Sequence, residues 1–318
     1  MRFILRYFVV ILFSFTSKAA ILKDSLAIKP DSISNWKNTN NVKLIFTQNS
    51  FVNWNAGGNN SMSGILKIYL TKNLKNKHLV WENELKTNYG LNKEAERELR
   101  KTEDLFELNS TFGYRKNPNS NWYNSAKFNF KTQFTNGYNY PNTENPISKF
   151  FAPAYLFVGV GSEYYSKKVN LKLYLSPLTN KTTFVFNQTL ANEGSFGVSP
   201  AIYDELGNLI SEGENLKMEF GTLIIGEWET QVMENIKMAN KLILYSDYLN
   251  NYGNIDVNWE LNFDLTINKY VTANIGTHII FDDDVKHKED INNDGELDIL
   301  GPKIQIKQLL GIGLNYTF

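Results

Sequence analysis

The feature that most constrains this chain is an alternation of apolar and polar side chains, kept up over stretches far longer than an ordinary strand. In residues 255–267, Ile255, Val257, Trp259, Leu261, Phe263, Leu265 and Ile267 share one face, and Asp256, Asn258, Glu260, Asn262, Asp264 and Thr266 share the other. Residues 79–91, 122–134 and 216–232 repeat the pattern, the last with Met218, Phe220, Ile224 and Trp228 opposite Lys217, Glu219, Glu227 and Glu229. A period of two means a strand with different surroundings on its two faces. Soluble sandwiches show it too, but their strands run about five or six residues. A tilted strand needs roughly 9–11 residues to cross the hydrocarbon layer of a membrane. Long strands with one apolar and one charged face therefore predict a barrel in lipid, closed so that every backbone group is paired.

Composition agrees once the crossing is made by strands. A mean hydropathy of −0.35 leaves no room for several helical spans of about 20 apolar residues. The chain is nonetheless 14% aromatic, and rings favour the headgroup level of a bilayer. Zero cysteine excludes disulfides, thiolate metal sites and a cysteine nucleophile. A formal charge of zero, with 33 basic and 33 acidic side chains, argues against a nucleic-acid partner.

The two termini set the address. Arg2 and Arg6, an apolar stretch from Tyr7 to Phe15 and then Ser17, Lys18 and Ala19 are the parts of a secretory signal peptide, assigned to 1–19. Its removal takes three basic and no acidic side chains, so the mature chain is slightly acidic. Residues 20–41 read as a short periplasmic lead and 42–318 as the barrel. At the other end Ile304, Ile306, Leu310, Ile312, Leu314, Tyr316 and Phe318 form one stripe. A terminal phenylalanine closing such a stripe suits the signal read by bacterial barrel-insertion machinery. The expected location is the bacterial outer membrane, reached through the inner membrane, with the lipid bilayer and that machinery as partners.

Twelve strands are predicted, at 42–51, 63–74, 78–92, 104–115, 122–135, 152–166, 169–176, 215–233, 236–248, 255–268, 271–281 and 304–318, in an all-β, antiparallel up-and-down arrangement. Short turns alternate with longer loops, as expected of periplasmic and outer ends. The segment 177–214 is the weak point, because 182–190 reads as a further strand; counts of 10 or 14 stay open. Trp81, Trp122, Trp228, Tyr316 and Phe318 are expected near the turn end, and Tyr89, Phe134 and Trp259 near the outer end, as two aromatic girdles.

The lumen faces carry both charge signs, which reads as a ladder of ion pairs or as a polar channel, and argues against strong ion selectivity. No catalytic constellation and no required cofactor emerge. His278, four residues before Asp282, leaves a barrel hydrolase as a minor alternative. Asp290, Asn292, Asp294, Glu296 and Asp298, with Gly295 at the sharp turn, follow the oxygen spacing of a calcium loop, although the twelfth position is Gly301 rather than Glu. Calcium in the last outer loop is the one metal expectation. Residues 93–104, rich in Glu, Arg and Lys, read as a solvated outer loop.

Some stretches go beyond periodicity: residues 54–58 (WNAGG), 100–104 (RKTED), 133–142 (QFTNGYNYPN), 176–179 (SPLT) and 254–260 (NIDVNWE). Together they resemble an uncharacterised family of exported proteins from Bacteroidetes-type bacteria, domain-of-unknown-function family 3078, over nearly all of 36–318. The resemblance implies an outer-membrane barrel and brings no activity or catalytic residues. The function read from the sequence is a barrel that binds or passes small solutes. A structural or partner subunit of an outer-membrane assembly is the alternative, motivated by the large 177–214 loop.

Overall fold

The computed structural model describes residues 35–50, 59–250, 252–289 and 298–318. Twelve strands form a closed barrel: β1 (Trp36–Asn49), β2 (Ser61–Lys75), β3 (Leu79–Glu94), β4 (Arg100–Tyr114), β5 (Trp122–Thr132), β6 (Ala154–Ser166), β7 (Leu171–Phe184), β8 (Leu216–Met233), β9 (Ile236–Asp247), β10 (Asp256–Thr266), β11 (Val271–Phe281) and β12 (Gln305–Thr317). Each pairs antiparallel with its chain neighbours. Closure is made by β1 on β12, from Asn41 opposite Thr317 to Phe46 opposite Ile312, and Asn40 and Phe318 exchange both backbone hydrogen bonds beyond that register. A closed sheet has no edge, so the ladder leaves no strand open to water or lipid. Among the described residues no helix is long and apolar enough to cross a membrane.

All twelve expected strands are present, and the boundaries of β1 and β7 need the largest correction. β1 starts at Trp36, not Val42, so the last residues of the expected 20–41 lead belong to the wall, paired with Tyr69–Leu74 of β2. Polar Asn38, Asn40 and Asn41 break the apolar alternation there, which hid the strand. β7 does not stop at Ser176 but runs to Phe184; 182–184 are its end, not a thirteenth strand. The cause is a bulge. Val160 faces Leu178 but Ser162 faces Leu175, and on the other side Gly221 faces Thr179 while Leu223 faces Ser176. Pro177 has no N–H to give the ladder, and one extra residue switches which side chains point inward. Ser176 fills the gap, its hydroxyl donating to the Val160 carbonyl at 2.9 Å. The close approach requires glycine opposite: a Cβ on Gly161 would lie 2.0 Å from the Leu175 carbonyl oxygen.

The outer face is apolar. Leu66, Phe112, Phe128, Val158, Ile275, Leu310, Ile312 and Leu314 are all exposed, a belt far beyond the isolated apolar residues of a water-facing wall. Rings gather at the turn end, where Trp36 meets Trp81 at 5.6 Å, Trp122 meets Tyr164 at 5.0 Å and Tyr316 meets Phe318 at 5.7 Å. That end holds the turns 76–78, 115–121, 167–170, 234–235 and 267–270. The opposite end carries the loops. The loop 185–215 builds a small core of its own from Val185, Leu190, Ala191 and Val198, joined by Ala152 of the preceding loop. A hairpin within it, Ile202–Tyr203 on Leu209–Ser211, projects with Ile202, Tyr203, Leu206, Leu209 and Ile210 exposed.

Candidate functional site: the charged lumen

The inward positions of the strands converge on a lumen crossed by ion pairs. Lys43 of β1 meets Asp264 of β10 at 2.8 Å, with β11 and β12 between them on the wall. Lys307 of β12 reaches Glu103 of β4 at 2.7 Å past β1, β2 and β3. Lys86 of β3 faces Glu260 of β10 at 3.8 Å. Lys181 of β7, nearly fully buried, is held by Asp256 at 2.8 Å, Glu219 at 3.5 Å and Asp282 at 3.7 Å. Apart from Lys181–Glu219, which joins opposed residues of adjacent β7 and β8, these contacts span the barrel rather than link neighbours, so they fill and brace the interior.

Toward the turn end the lumen narrows. Lys172 of β7 ion-pairs Glu82 of β3 with β4, β5 and β6 between them, and Lys241 pairs Glu227 at 3.2 Å. Inward Val80, Thr111, Tyr123, Ser125, Glu163 and Tyr174 are buried around this level. Lys127 lies over the Tyr174 ring, 5.6 Å from its centroid. These buried side chains, together with the half-buried ion pairs Lys172–Glu82 and Lys241–Glu227, make this a waist. On its loop side opens a cavity of about 690 Å³. One wall carries an apolar and aromatic patch (Phe157, Leu223, Ile225, Ile243, Tyr245); the facing wall carries Lys43, Lys67, Lys86, Asp264 and Lys307, and Lys131 of β5 lies beside the patch. Lys67 and Lys131 have no carboxylate within ion-pair distance among the described residues. On the turn side of the waist lies a smaller cavity of about 370 Å³.

His278 lines the larger cavity and does not form the dyad with Asp282 that the minor hydrolase alternative needs: its Nε2 meets Asn258 Oδ1 at 2.9 Å, while Asp282 turns to Lys181. Of the calcium-loop residues, Asp290, Asn292, Asp294 and Glu296 lie outside the described residues; Asp298 begins a short strand, Asp298–Pro302, that pairs with Lys286–Glu289. The neighbouring acids have protein partners: Asp284 meets Lys217 at 2.6 Å and Asp283 accepts from the Asn254 amide at 2.7 Å. Among the described residues, no group of three or more His, Asp or Glu is arranged to hold a metal.

The charged run at 93–104 is mostly wall, not loop, with only 95–99 outside β3 and β4. Its RKTED stretch meets the QFTNGYNYPN stretch. The Asp104 carboxylate accepts from the Phe134 N–H at 2.7 Å and the Thr135 N–H at 2.9 Å, and from Lys101 at 2.8 Å. The Arg100 guanidinium lies 4.8 Å over the Tyr140 ring. SPLT forms the β7 bulge, and NIDVNWE supplies Asp256 to Lys181. RKTED, QFTNGYNYPN and NIDVNWE make contacts near the loop end and SPLT shapes the wall within β7, roles that spacing along the chain does not reveal, while WNAGG lies outside the described residues. The waist and the unpaired lysines were also missed, because alternation tells which side chains point inward and not which of them meet.

A family model described as a protein of unknown function (DUF3078) matches residues 46–138. No curated protein matches the chain. Among solved structures, an outer membrane channel from Pseudomonas putida F1 is 10% identical, with 92% of this chain and 100% of that chain covered at a TM-score of 0.41. The translocator domain of the autotransporter NalP from Neisseria meningitidis is 8% identical, with 90% of each chain covered at 0.35. OmpT, an outer membrane protein of Vibrio cholerae, is 8% identical, with 89% and 97% covered at 0.30.

Proposed function

We propose that this chain is an outer-membrane barrel that takes a small charged solute with an apolar face into its loop-end cavity and admits it past the ion-paired waist. The carrying observation is the cavity of about 690 Å³, where Phe157, Leu223, Ile225, Ile243 and Tyr245 of β6–β9 form an apolar patch within a lining that is otherwise rich in charged side chains, Lys181, Glu229 and Lys241 of the same strands included. A pocket of that size suits a small molecule, with apolar wall for area and a few polar groups for orientation. Cross-lumen pairs at the waist make passage depend on side-chain rearrangement rather than on an open bore. In this reading the turn end faces the periplasm and the loop end the exterior, after export and insertion through the strand ending at Phe318.

The test is conductance of the folded barrel in planar bilayers. Glu82→Ala with Lys172→Ala removes both halves of the waist pair, leaves no orphan charge between them, and should raise single-channel conductance several-fold. If neither the natural barrel nor the double variant conducts, the passage reading fails.

A further inference from the structure

Across the turns of the narrow end, Lys77, Arg115, Lys116, Lys167, Lys168 and Lys269 face a single acid, Glu234. The imbalance is concentrated where the lumen opens between two of these turns. The cavity there, about 370 Å³, is lined by Lys75, Arg115, Lys167 and Lys168, by Tyr123 and Tyr165, and by no carboxylate. Two of its cations are held in place before any ligand arrives. Arg115 lies over the Tyr123 ring, 4.7 Å from its centroid, and its Nε donates to the Lys77 carbonyl at 2.9 Å. One terminal nitrogen of Arg115 donates to the Ser120 carbonyl. The Lys75 ammonium sits 4.3 Å over the Tyr165 ring. The charges acting on Lys75 are Arg115, Lys167 and Lys172 against Glu82, and Glu82 is already taken by Lys172.

Four cations around one concavity repel one another, and low-dielectric walls focus that field on whatever enters. A guanidinium pinned by carbonyls and a ring, beside clustered ammonium groups, is the donor set suited to a compact multivalent oxyanion. We propose that this turn-end vestibule is a binding site for a small phosphate-bearing solute entering from the periplasmic side. Its position inside the barrel mouth favours a soluble phosphate over a lipid headgroup. The site does not depend on passage through the waist, so it stands or falls separately from the conductance result.

The experiment is calorimetric titration of the folded full-length barrel, in neutral detergent, with pyrophosphate and with inorganic phosphate. One saturable site is expected, weakened about tenfold by Arg115→Gln and comparably by Lys167→Gln with Lys168→Gln, which changes exposed lysines and leaves the turn intact if the arginine variant misfolds. Lys269→Gln, on another turn, should leave the affinity unchanged. Absence of saturable binding, equal affinity in the Lys167/Lys168 variant, or an equal loss with Lys269→Gln would overturn the site. Competition by phosphatidylglycerol in the micelle but not by inorganic phosphate would overturn the soluble ligand in favour of a headgroup.

Discussion

Between β6 and β9 the inner wall carries Phe157, Tyr174, Leu223, Ile225, Ile243 and Tyr245, whereas from β10 round to β3 it carries Asp264, Lys307, Lys43, Lys67 and Lys86. In the first arc the side chains pack as a core: Phe157 and Tyr245 meet edge-on at 6.0 Å, and Tyr174, Leu223 and Tyr245 are almost wholly buried. Its most buried cation, Lys181, is enclosed with Glu219 and lies over the Tyr245 ring at 5.1 Å, and of its other lumen charges Lys241 and Glu227 pair with each other at 3.2 Å. In the second arc the charges reach across the lumen and vary in exposure, from Lys43 at 14% to Asp264 at 41% and Lys307 at 48%. The barrel therefore has a dry buttress on one side and a wet contact surface on the other. Stability should reside in the first and solute contact in the second.

The largest contrast should come from breaking one ion pair in each arc. Lys181→Met leaves the buried Glu219 facing no nearby cation but Lys217, and should cost about 3–5 kcal/mol of unfolding free energy. Lys43→Met frees Asp264, whose side chain is 41% exposed, and should cost about 0–1 kcal/mol. Urea unfolding of the barrel in lipid vesicles, followed by tryptophan emission and by the mobility difference between folded and unfolded forms on gels, measures both. Equal losses would break the distinction between the arcs.

Truncating an apolar side chain in each arc gives a somewhat smaller effect. Ile225→Ala opens a void in a packed wall and should cost about 2–4 kcal/mol. Leu309→Ala, on β12 facing the cavity, removes a side chain already bordered by open space and should cost about 1 kcal/mol or less. The same unfolding assay reads both, and a similar cost at Leu309 would mean that the second arc is packed as tightly as the first.

How far these features were legible in advance depends on what a strand's alternation encodes. Lipid outside and a polar lumen inside impose a strict two-residue rhythm, so 255–267 and 304–318 announced both the strand and its facing. The rhythm fails where local geometry departs from a regular ladder. At Ser176–Pro177 the extra residue moves inward positions from Tyr174 and Ser176 to Thr179, Lys181 and Thr183, and a reader following one parity stops there. It also fails at the turn end of β1, where Asn38, Asn40 and Asn41 interrupt the apolar alternation. Contacts across the lumen are a different matter. Glu82 and Lys172 meet because four strands of curvature and tilt bring them to one level, and no local pattern carries that information. The RKTED and QFTNGYNYPN stretches stood out as motifs, yet their purpose is a contact between Asp104 and the Phe134 and Thr135 amides, visible only once the barrel is closed.

The sharpest separation of stability from solute contact lies at Lys67. Its charged neighbours are Lys86, Lys307 and Lys43 against Glu103, and Glu103 is already paired with Lys307 at 2.7 Å. Removing a charge that sits mainly among like charges relieves repulsion, so Lys67→Met should change stability by no more than about 0.5 kcal/mol. The cavity it faces would lose an unpaired cation, and with it part of the attraction for anions. In the background opened by Glu82→Ala and Lys172→Ala, the reversal potential in a potassium chloride gradient should therefore move toward cation preference. Lys241→Met is the internal comparison, because that lysine is consumed by Glu227; it should destabilise the barrel, since the waist pair loses one partner. A Lys67 variant that unfolds as readily as the Lys181 variant, with no change in reversal potential, would show that the wet arc is structural after all. A preserved fold with altered ion preference would place the solute-contacting surface on β1–β3 and β10–β12.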